Sequence, residues 1–336
     1  MNLIKTKCPV CNYEISTDKY LLFNPEDAAR HLLDQKLDND RFAQFEFLVS
    51  NIWGNNDCAY IDCPECRLGF AYPFIAGDKD LYSFIYNNIN SYPKWKWEYQ
   101  ITFEEIKKRI DNSKSTLNLL EIGAGDGAFL RKISPELISR ENIICTEYSN
   151  AGKREIEKYG INCYSLDVRD PFFVKYSGYF DLVCVFQVLE HLDDLEGFFR
   201  RIDLITKSNS DIFIAVPNDQ MTKFYNSMNC FLDIPPIHIS SWNKDSLSFI
   251  AKRFGWVIKD HKIESQSYLS KAIRFIRIMF PKTKTFHLVK AIRISALRKS
   301  LLILSASVYA LFHVPEIYAL RSAKLGLNQW VHIQKN

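Results

Sequence analysis

A glycine-rich turn between a predicted strand and a predicted helix constrains this chain more than any other feature. Residues 119–130 read LLEIGAGDGAFL, so that a strand-like segment leads into Gly123, Gly125 and Gly127 and then into a helical pattern. Glycine allows the backbone to turn tightly and to come close to a ligand, and the N-terminus of the next helix then faces that ligand. The string predicts a ligand-binding turn, although its spacing alone also fits the G-x-G-x-x-G/A pattern of dinucleotide-binding proteins.

Short apolar strands alternate with helical patterns from this turn to about residue 260. The C-terminal sequence LGLNQWVHIQKN predicts a last strand, and the other strand candidates are 118–122, 143–147, 162–165, 180–186, 212–216 and 256–259. Strands of this kind, separated by helices, are typical of a parallel, doubly wound sheet. The sequence therefore predicts an α/β fold with a Rossmann-like sheet in residues 116–264 and 321–336.

Two carboxylates follow the second and third of these strands. Glu147 ends the second strand candidate, 24 residues after Gly123, where a carboxylate can accept hydrogen bonds from both hydroxyls of a bound ribose. Asp167 follows the third strand candidate and could reach the edge of an adenine ring. Alternatively, each is a solvated carboxylate at the end of a strand.

From the turn onward, the chain resembles the class I S-adenosylmethionine (SAM)-dependent methyltransferases, in particular the group with Glu-His-Leu after the fourth strand. The resemblance covers residues 117–260 and rests on the ordered strings LLEIGAGDGAFL, CTEYSN, LDV, YFDLVCVFQVLEHLDDLEGFFR and IFIAVPN. One departure is the polar turn ITKSNSDIF before the fifth strand, where the family usually has a glycine-rich turn. The resemblance implies a Rossmann-like methyltransferase domain with SAM as its cofactor.

The same resemblance assigns roles to individual residues. The three glycines of the turn would approach the amino-acid part of SAM, Glu147 would bind its ribose and Asp167 its adenine. Phe186 and Gln187 would flank the methionine moiety. The cofactor-binding candidates are therefore Glu121, Gly123, Gly125, Gly127, Glu147, Asp167, Phe186 and Gln187.

Two histidines are candidates for a catalytic base. The methyl group of a sulfonium is already activated, so the protein contributes alignment and, for a hydroxyl or acidic C–H acceptor, a base that titrates near neutrality. His191 lies just past the carboxyl end of the fourth strand, where open α/β sheets bind ligands. His238, in IPPIHISSW, resembles part of a Pro-Pro-His-His loop of sugar and small-molecule methyltransferases, with Ile237 in place of the first histidine. Alternatively, His191 caps or orients the helix that begins at Asp193, and His238 contacts substrate or holds its loop.

Four cysteines near the N-terminus have the spacing of metal ligands. Cys8 and Cys11, like Cys63 and Cys66, form a Cys-x-x-Cys pair, and the four thiolates could close a tetrahedral structural zinc site. The string CPECRLGFAYPF also resembles the second knuckle found ahead of many sugar-type methyltransferases. Packed free thiols or a redox pair are the alternative to a zinc-ribbon-like module in residues 1–75.

The 51 residues between Cys11 and Cys63 must contain a helical insertion in such a ribbon. The string NPED at residues 24–27 predicts the start of its helix, and a break is expected near residues 38–40. Residues 76–115 predict a helical lid or linker, broken at Pro93. Three tyrosines of this segment could line the acceptor pocket: Tyr82, Tyr86 and Tyr92.

The net charge of +4 conceals a strong asymmetry along the chain. From Lys271 to the C-terminus there are twelve Lys or Arg residues and one acid, whereas the preceding 270 residues hold 31 basic and 38 acidic residues. Residues 265–320 predict a basic amphipathic helical insertion, whose longest apolar run, LLILSASVYALF, is too short at 12 residues to cross a bilayer. Such an insertion would lie on an anionic membrane surface, pack on the sheet, or form a dimer contact. Nucleic acid is not an expected partner, because no reading motif accompanies the charge.

Together these patterns predict a SAM-dependent methyltransferase acting on a hydroxyl or carbon of a sugar, a glycan precursor or another small metabolite. The alternatives are a nicotinamide-dependent oxidoreductase on the same fold and a membrane-associated, non-catalytic scaffold with a methyltransferase fold. The first residues, MNLIKTKCPVC, lack the pattern of a secretory signal. A cytoplasmic protein is therefore expected, peripheral to the membrane if residues 265–320 bind lipid.

Overall fold

The computed structural model describes residues 3–86, 95–113, 116–292 and 294–336. The chain divides into two compact units. The first consists of residues 1–217, 233–262 and 328–336, and the second of residues 218–232 and 263–327. The four-part organisation expected from the sequence (1–75, 76–115, 116–264 with 321–336, and 265–320) stays a prediction.

Short strands and helices follow one another along the described residues. The strands are β1 (Ile4–Lys7), β2 (Glu14–Thr17), β3 (Leu21–Phe23), β4 (Cys58–Asp62), β5 (Gly69–Tyr72), β6 (Leu119–Ile122), β7 (Ile143–Thr146), β8 (Asn162–Tyr164), β9 (Phe180–Phe186), β10 (Thr206–Pro217), β11 (Ser240–Ser241), β12 (Val257–Ile263) and β13 (Asn328–Gln334). The helices are α1 (Pro25–Leu32), α2 (Asn39–Ile52), α3 (Lys79–Tyr86), α4 (Trp97–Ser113), α5 (Ala128–Glu136), α6 (Asn150–Glu157), α7 (Leu195–Ile205), α8 (Asp219–Asn226), α9 (Lys244–Arg253), α10 (Tyr268–Met279), α11 (Lys284–Lys290), α12 (Ser295–Phe312) and α13 (Val314–Ala319).

The central sheet of the first unit has the strand order β12-β13-β10-β9-β6-β7-β8. β6 pairs in parallel with β7 and β9, β7 with β8, and β9 with β10, whereas β13 runs antiparallel to β10. Every residue of β6, β7 and β9 is buried, as expected for parallel strands covered on both faces. The doubly wound, Rossmann-like sheet predicted from the sequence is confirmed, with β13 as its antiparallel member.

The chain order reverses at β6, which lies between β7 and β9 in this sheet. Open α/β sheets bind ligands outside the carboxyl ends of their strands at such a switch point. The glycine turn follows β6, Glu147 follows β7, and Gln187 follows β9. The topology therefore brings the candidates from three separate sequence segments to one edge of the sheet.

The helical insertion near the N-terminus starts where its sequence predicts and breaks slightly before the expected residues 38–40. Asn24 caps α1 by accepting a hydrogen bond from the amide of Asp27, whose carboxylate accepts one from the amide of Asn24 in return. Asp38 caps α2 in a similar way, accepting from the amide of Arg41. The break therefore spans residues 33–38, between two helices that each have their own cap.

A second sheet of the first unit joins the N-terminal segment to a distant loop. Its strand order is β11-β5-β4-β3, and β11 pairs antiparallel to β5 with Ser240 opposite Phe70 and Ser241 opposite Gly69. The strand β5 directly follows the second cysteine pair, and β11 directly follows the loop that holds His238. One sheet therefore links the cysteine-bearing segment to a candidate catalytic loop.

The lid or linker segment is helical on both sides of its expected break. α3 and α4 account for residues 79–86 and 97–113. Pro93 and Tyr92 lie outside the described residues.

The second unit packs its helices around a small apolar core of its own. Tyr225 from α8, Phe275 from α10, and Leu320 and Leu325 after α13 are buried in this core. The apolar run near the C-terminus belongs to α12, which is 18 residues long and has a mean hydropathy of 1.3 in that window. By length and composition alone, the whole of α12 could cross a membrane, although its longest apolar run has only 12 residues.

Candidate active site

All three glycines of the turn after β6 have a left-handed backbone. The angle φ is +70° at Gly123, +60° at Gly125 and +75° at Gly127, a region that disfavours residues with side chains. A Cβ atom at Gly123 would also lie 2.5 Å from Cγ2 of Val188. The turn therefore needs glycine for its conformation, and it lies directly against the loop that follows β9.

Glu147 fastens the glycine turn to the end of β7. Its Oε2 accepts a hydrogen bond of 2.8 Å from the amide of Gly125, and its Oε1 accepts one of 2.7 Å from the amide of Ser149. The residue is only 8% exposed. Burial raises the pKa of Glu147, while the two backbone hydrogen bonds oppose that shift. The alternative of a solvated carboxylate is wrong, and each oxygen keeps a further lone pair for a ribose hydroxyl.

Glu121 brings an unsatisfied carboxylate oxygen to the base of the same turn. Its side chain is 1% exposed, and Oε2 has no hydrogen-bond partner among the described residues. Burial raises its pKa well above the usual value, and the positive charge of Lys96 acts in the opposite direction. An unsatisfied buried carboxylate is costly unless a donor or cation meets it. This orphaned oxygen fits a ligand with a positively charged group, such as the amino-acid part of SAM.

Asp167 is held by its own neighbours at the end of β8. Arg169 donates to it from Nε at 2.9 Å and from Nη2 at 2.7 Å, and the hydroxyl of Tyr148 donates at 3.1 Å. Burial opposes the ionisation of Asp167, but the hydrogen bonds and charge of Arg169 prevail and lower its pKa. Asp167 is thus an ion-paired carboxylate rather than a solvated one. Tyr148, which follows Glu147 in the chain and contacts Asp167, is 61% exposed.

The two residues at the end of β9 occupy different environments. The Phe186 ring is buried, with its centroid 5.1 Å from that of Tyr99 and 5.2 Å from that of Phe129. Gln187 has a φ of +56°, which is unusual for a residue with a side chain and common at functional sites. Its Nε2 lies 3.3 Å from Oε1 of Glu98. Phe186 therefore forms an aromatic wall, while Gln187 turns a polar group towards α4.

The candidate histidines lie together although they come from different loops. The ring centroids of His191 and His238 are 4.7 Å apart. A second imidazole therefore lies beside His238, although it comes from the loop after β9. The helix α7 is capped by Asp194, whose side chain accepts from the amide of Gly197. The alternative role of His191 as the cap of this helix is thus wrong.

Both imidazoles are fixed through their Nδ1 atoms. Nδ1 of His191 lies 2.6 Å from the carbonyl oxygen of Ile237, which can only accept, so this nitrogen carries the proton. Nε2 of His191 is then a lone-pair nitrogen, 3.9 Å from Oε1 of Glu190. Nδ1 of His238 lies 2.9 Å from Oδ1 of Asp233. The His191 ring is thus oriented by a hydrogen bond at Nδ1 and the His238 ring by an ion pair at Nδ1, so that Nε2 of each ring remains available for acid–base chemistry.

The surroundings give the two histidines opposite basicities. Burial, aided by the charge of His238, lowers the pKa of His191 to about 3. Burial also disfavours protonation of His238, but the hydrogen bond and charge of Asp233 prevail, with help from Glu190, and raise its pKa. His191 is therefore neutral at all working pH values, and His238 is the basic member of the pair.

Glu190, in the loop that follows β9, forms a cluster with the two histidines. It is 1% exposed, and neither carboxylate oxygen has a hydrogen-bond partner among the described residues. Burial raises the pKa of Glu190 to about 7, against the charge of His238. One donor or acceptor atom from each of Glu190, His191 and His238 lies within 4.8 Å of the others. Tyr82 lies next to them, with its ring centroid 6.0 Å from that of His191.

The four predicted cysteine ligands converge in the first unit. The Sγ atoms of Cys8 and Cys66 are 3.5 Å apart, as are those of Cys11 and Cys63, and all four Sγ atoms lie within 4.8 Å of one another. Zinc–sulfur bonds of about 2.3 Å in a tetrahedron place sulfur atoms about 3.8 Å apart. The distances fit a zinc tetrathiolate and are far too long for disulfides.

The two cysteine pairs also share one backbone geometry. In the first pair, the amide of Asn12 donates a hydrogen bond of 3.0 Å to the carbonyl oxygen of Cys8. In the second pair, the amide of Arg67 donates one of 2.9 Å to the carbonyl oxygen of Cys63. Asn12 and Arg67 have φ values of +59° and +60°. Matching turns of this kind aim both thiols of each pair at one point, which strengthens the fit to a metal.

Sequence reasoning missed several polar residues that the fold brings to the site. Glu98 is fully buried, and its carboxylate lies 3.3 Å from Nε2 of Gln187 and 3.3 Å from Nδ2 of Asn328. Within the pattern WEYQITFEEIKK, Glu98 looks like the neighbouring surface acids, so the sequence carried no signal for it. Asp233 could have been found, since it stands five residues before His238 in the same loop.

Comparisons with known proteins find similarity to methyltransferases. Residues 95–261 match the family described as "Methyltransferase domain". A SAM-dependent methyltransferase structure from Archaeoglobus fulgidus is 21% identical with a TM-score of 0.44, and the match covers 71% of this chain and 94% of that one. An S-adenosylmethionine-dependent methyltransferase structure from Mesorhizobium loti is 10% identical with a TM-score of 0.43, over 71% and 98% of the two chains. The family match thus identifies residues 95–261 of this chain as a methyltransferase domain.

Proposed function

We propose that this enzyme transfers the methyl group of SAM to a hydroxyl or carbon of a sugar, a glycan precursor or a similar small metabolite, with His238 as the base. The observation that carries the proposal is the cluster of His238, His191 and Glu190 at the carboxyl end of β9. An amine acceptor reacts through its lone pair and needs little help. A hydroxyl or an acidic C–H bond must lose a proton, so a dedicated base favours these acceptors.

The base assignment follows from the charges around each ring. Asp233 holds the Nδ1 side of His238 and favours its protonated form, which lets Nε2 accept a proton and keep it. His191, with its pKa near 3, is too weak a base to take that role and instead helps to shape the pocket. Tyr82 offers an aromatic face beside His191 against which a sugar-like acceptor could rest.

SAM, when bound, supplies an electrophilic methyl group whose transfer requires in-line alignment with the acceptor. The glycine turn of Gly123, Gly125 and Gly127 would admit its amino-acid part, with Glu121 meeting the positive charge. Glu147 would bind the ribose hydroxyls. Asp167 would contact the adenine of SAM, and Phe186 and Gln187 would flank its methionine moiety.

The cysteine cluster has a supporting role in this proposal. Cys8, Cys11, Cys63 and Cys66 would hold one structural zinc ion, because four thiolates leave no open position for chemistry. The metal would stabilise the N-terminal sheet that includes β11 and thereby the loop of His238.

The decisive experiment incubates cell extracts with the purified enzyme and SAM that carries an isotopically labelled methyl group, followed by mass spectrometry. A labelled sugar-type product at oxygen or carbon is expected with wild-type protein. His238→Ala should lower its formation by about 100-fold or more while leaving SAM binding intact. His287→Ala, at an exposed position of α11, is the matched control.

Other outcomes would contradict parts of this proposal. Label found only on amine nitrogens would remove the need for a base. Full activity of His238→Ala would remove that residue from the mechanism. A rate that depends on added magnesium or manganese would assign the cluster to a metal ion instead of a base.

A further inference from the structure

The helix α12 of the second unit exposes an apolar stripe along its length. Leu297, Leu304, Val308 and Leu311 recur at intervals of seven, four and three residues, which places them on one face of a helix. Leu304 is 59% exposed and Leu311 is 72% exposed. Ile303 and Phe312 flank this stripe and are exposed as well. We use "the α12 stripe" for these six residues.

The opposite face of α12 already has its partners. Tyr309 stacks on His313 with ring centroids 3.9 Å apart and lies 5.7 Å from the ring of Phe280. Tyr309 and Ile317 pack against the buried core of the second unit. Exposure of the stripe is therefore a consequence of how this helix packs, and no residue of α12 is buried.

The unit that carries the stripe is strongly basic. The second unit holds twelve Lys or Arg residues and three Asp or Glu residues, a net charge of +9, whereas the whole chain has only +4. Lys284 and Lys290 on α11 and Lys299 on α12 are exposed. The helices α10, α11 and α12 contain no acidic residue.

This combination limits the partner that the surface can take. A second copy of the same face would bring a charge of +9 against +9. Nucleic acid would match the charge but leave the leucines in water. An anionic lipid surface offers both a negatively charged headgroup layer and an apolar layer beneath it. The stripe from Leu297 to Phe312 spans about 22 Å of helix, long enough to lie in that interface along its whole length.

We propose that the second unit binds anionic lipid bilayers, with α12 lying in the membrane interface and its stripe inserted among the lipid chains. Lys284 and Lys290 contact the negatively charged headgroups. Tyr318, which is exposed, lies at the interfacial depth that tyrosine side chains favour. This proposal is independent of the methyl acceptor and of the base.

Sedimentation of the full-length protein with vesicles tests it. One vesicle population contains phosphatidylcholine alone and the other contains equal parts of phosphatidylcholine and phosphatidylglycerol. Wild-type protein should bind the anionic vesicles at least tenfold more strongly, and added salt should weaken the binding. The double variant Leu304→Ser/Leu311→Ser, and separately Lys284→Glu/Lys290→Glu, should each bind the anionic vesicles at least tenfold more weakly than wild type. All of these positions are exposed, and circular dichroism would confirm that the variants fold.

The matched controls are Leu37→Ser, at a position 83% exposed in the first unit, and Lys36→Glu beside it. Binding of the controls should equal that of wild type. Failure of wild-type protein to bind anionic vesicles at low salt, or equal losses in controls and stripe variants, would overturn the proposal. A molecular mass that doubles with concentration without vesicle binding would overturn it in favour of a second copy. Resistance to carbonate extraction would overturn it in favour of a membrane-spanning α12.

Discussion

The amide of Ala71 donates a hydrogen bond of 2.8 Å to the carbonyl oxygen of Ile239, the residue after His238. The amide of Ile239 in turn donates to the carbonyl of Glu190 at 2.9 Å. The side chain of Asn243 donates a further hydrogen bond of 2.6 Å to the carbonyl oxygen of Arg67, in the turn of the second cysteine pair. The cysteine-bearing segment therefore holds the histidine loop by backbone contacts, and its integrity should affect catalysis.

Loss of one cysteine ligand should remove the metal and disturb the histidine loop. We expect wild-type protein to carry about one zinc ion per chain and Cys63→Ser to carry far less, because three thiolates bind zinc more weakly than four. Methyl transfer should fall more than SAM affinity, since the glycine turn is held by other contacts. Elemental analysis, thermal unfolding and calorimetry measure these effects. Cys58→Ala, outside the cluster, should keep its zinc; unchanged zinc in Cys63→Ser would contradict the assignment.

Removal of the Glu147 carboxylate should weaken SAM binding. Glu147→Ala deprives the amides of Gly125 and Ser149 of their acceptor and removes the partner of the ribose hydroxyls. Hydrogen bonds to a charged group are worth about 1.5–3 kcal/mol, which corresponds to a loss of about 10- to 100-fold in affinity. Isothermal calorimetry measures it. Glu136→Ala, at an exposed carboxylate of α5, is the control, and equal affinities in the two variants would remove Glu147 from the cofactor site.

The rate of methyl transfer should rise with pH because His238 must be neutral to accept a proton. Asp233 and Glu190 favour its charged form, so the rising limb should be centred above the usual pKa of 6.5. Asp233→Asn removes the negative partner, lowers the pKa of His238 and should move the limb to lower pH. A pH–rate profile of kcat for both proteins measures the shift, and identical profiles would contradict the pairing.

Replacement of Glu190 by its neutral isostere should raise stability at alkaline pH. Burial raises the pKa of Glu190 from 4.5 to about 7, so the folded state holds its proton over a range where the unfolded chain has lost it. The contribution of Glu190 to the free energy of unfolding is fully present below its pKa in the unfolded chain. It is lost as the pH rises through its pKa in the folded state. Glu190→Gln does not lose this contribution. The difference in Tm between Glu190→Gln and wild type should therefore increase in favour of the variant between about pH 5 and about pH 8. A constant difference would show that Glu190 does not titrate as described.

The architecture was largely predictable because its signals are local. The strands of the sheet, the glycine turn, the cap at Asn24 and the last strand are each written in a few consecutive residues. The mutual position of Gly123 and Glu147 followed from a general property of parallel sheets, in which carboxyl ends share one edge.

The residues that were missed depend on contacts between distant segments. No local sequence pattern shows that Ser240 pairs with Phe70 or that His191 lies beside His238. The environment of Glu190 is also set by burial, which a Glu-His-Leu string does not reveal. The apolar run covers only part of α12, because Arg298 and Lys299 lie inside the helix before that run begins.

The hydrogen bonds of Glu147 also affect how the cofactor enters its site. Because its two oxygens already bind the amides of Gly125 and Ser149, the turn is assembled by the protein itself and does not depend on ligand contacts for its shape. A preorganised loop loses little conformational entropy when its ligand binds. The amide of Gly125 should therefore exchange slowly with solvent deuterium in the free enzyme, and entry of the nucleoside should leave the backbone of the turn in place.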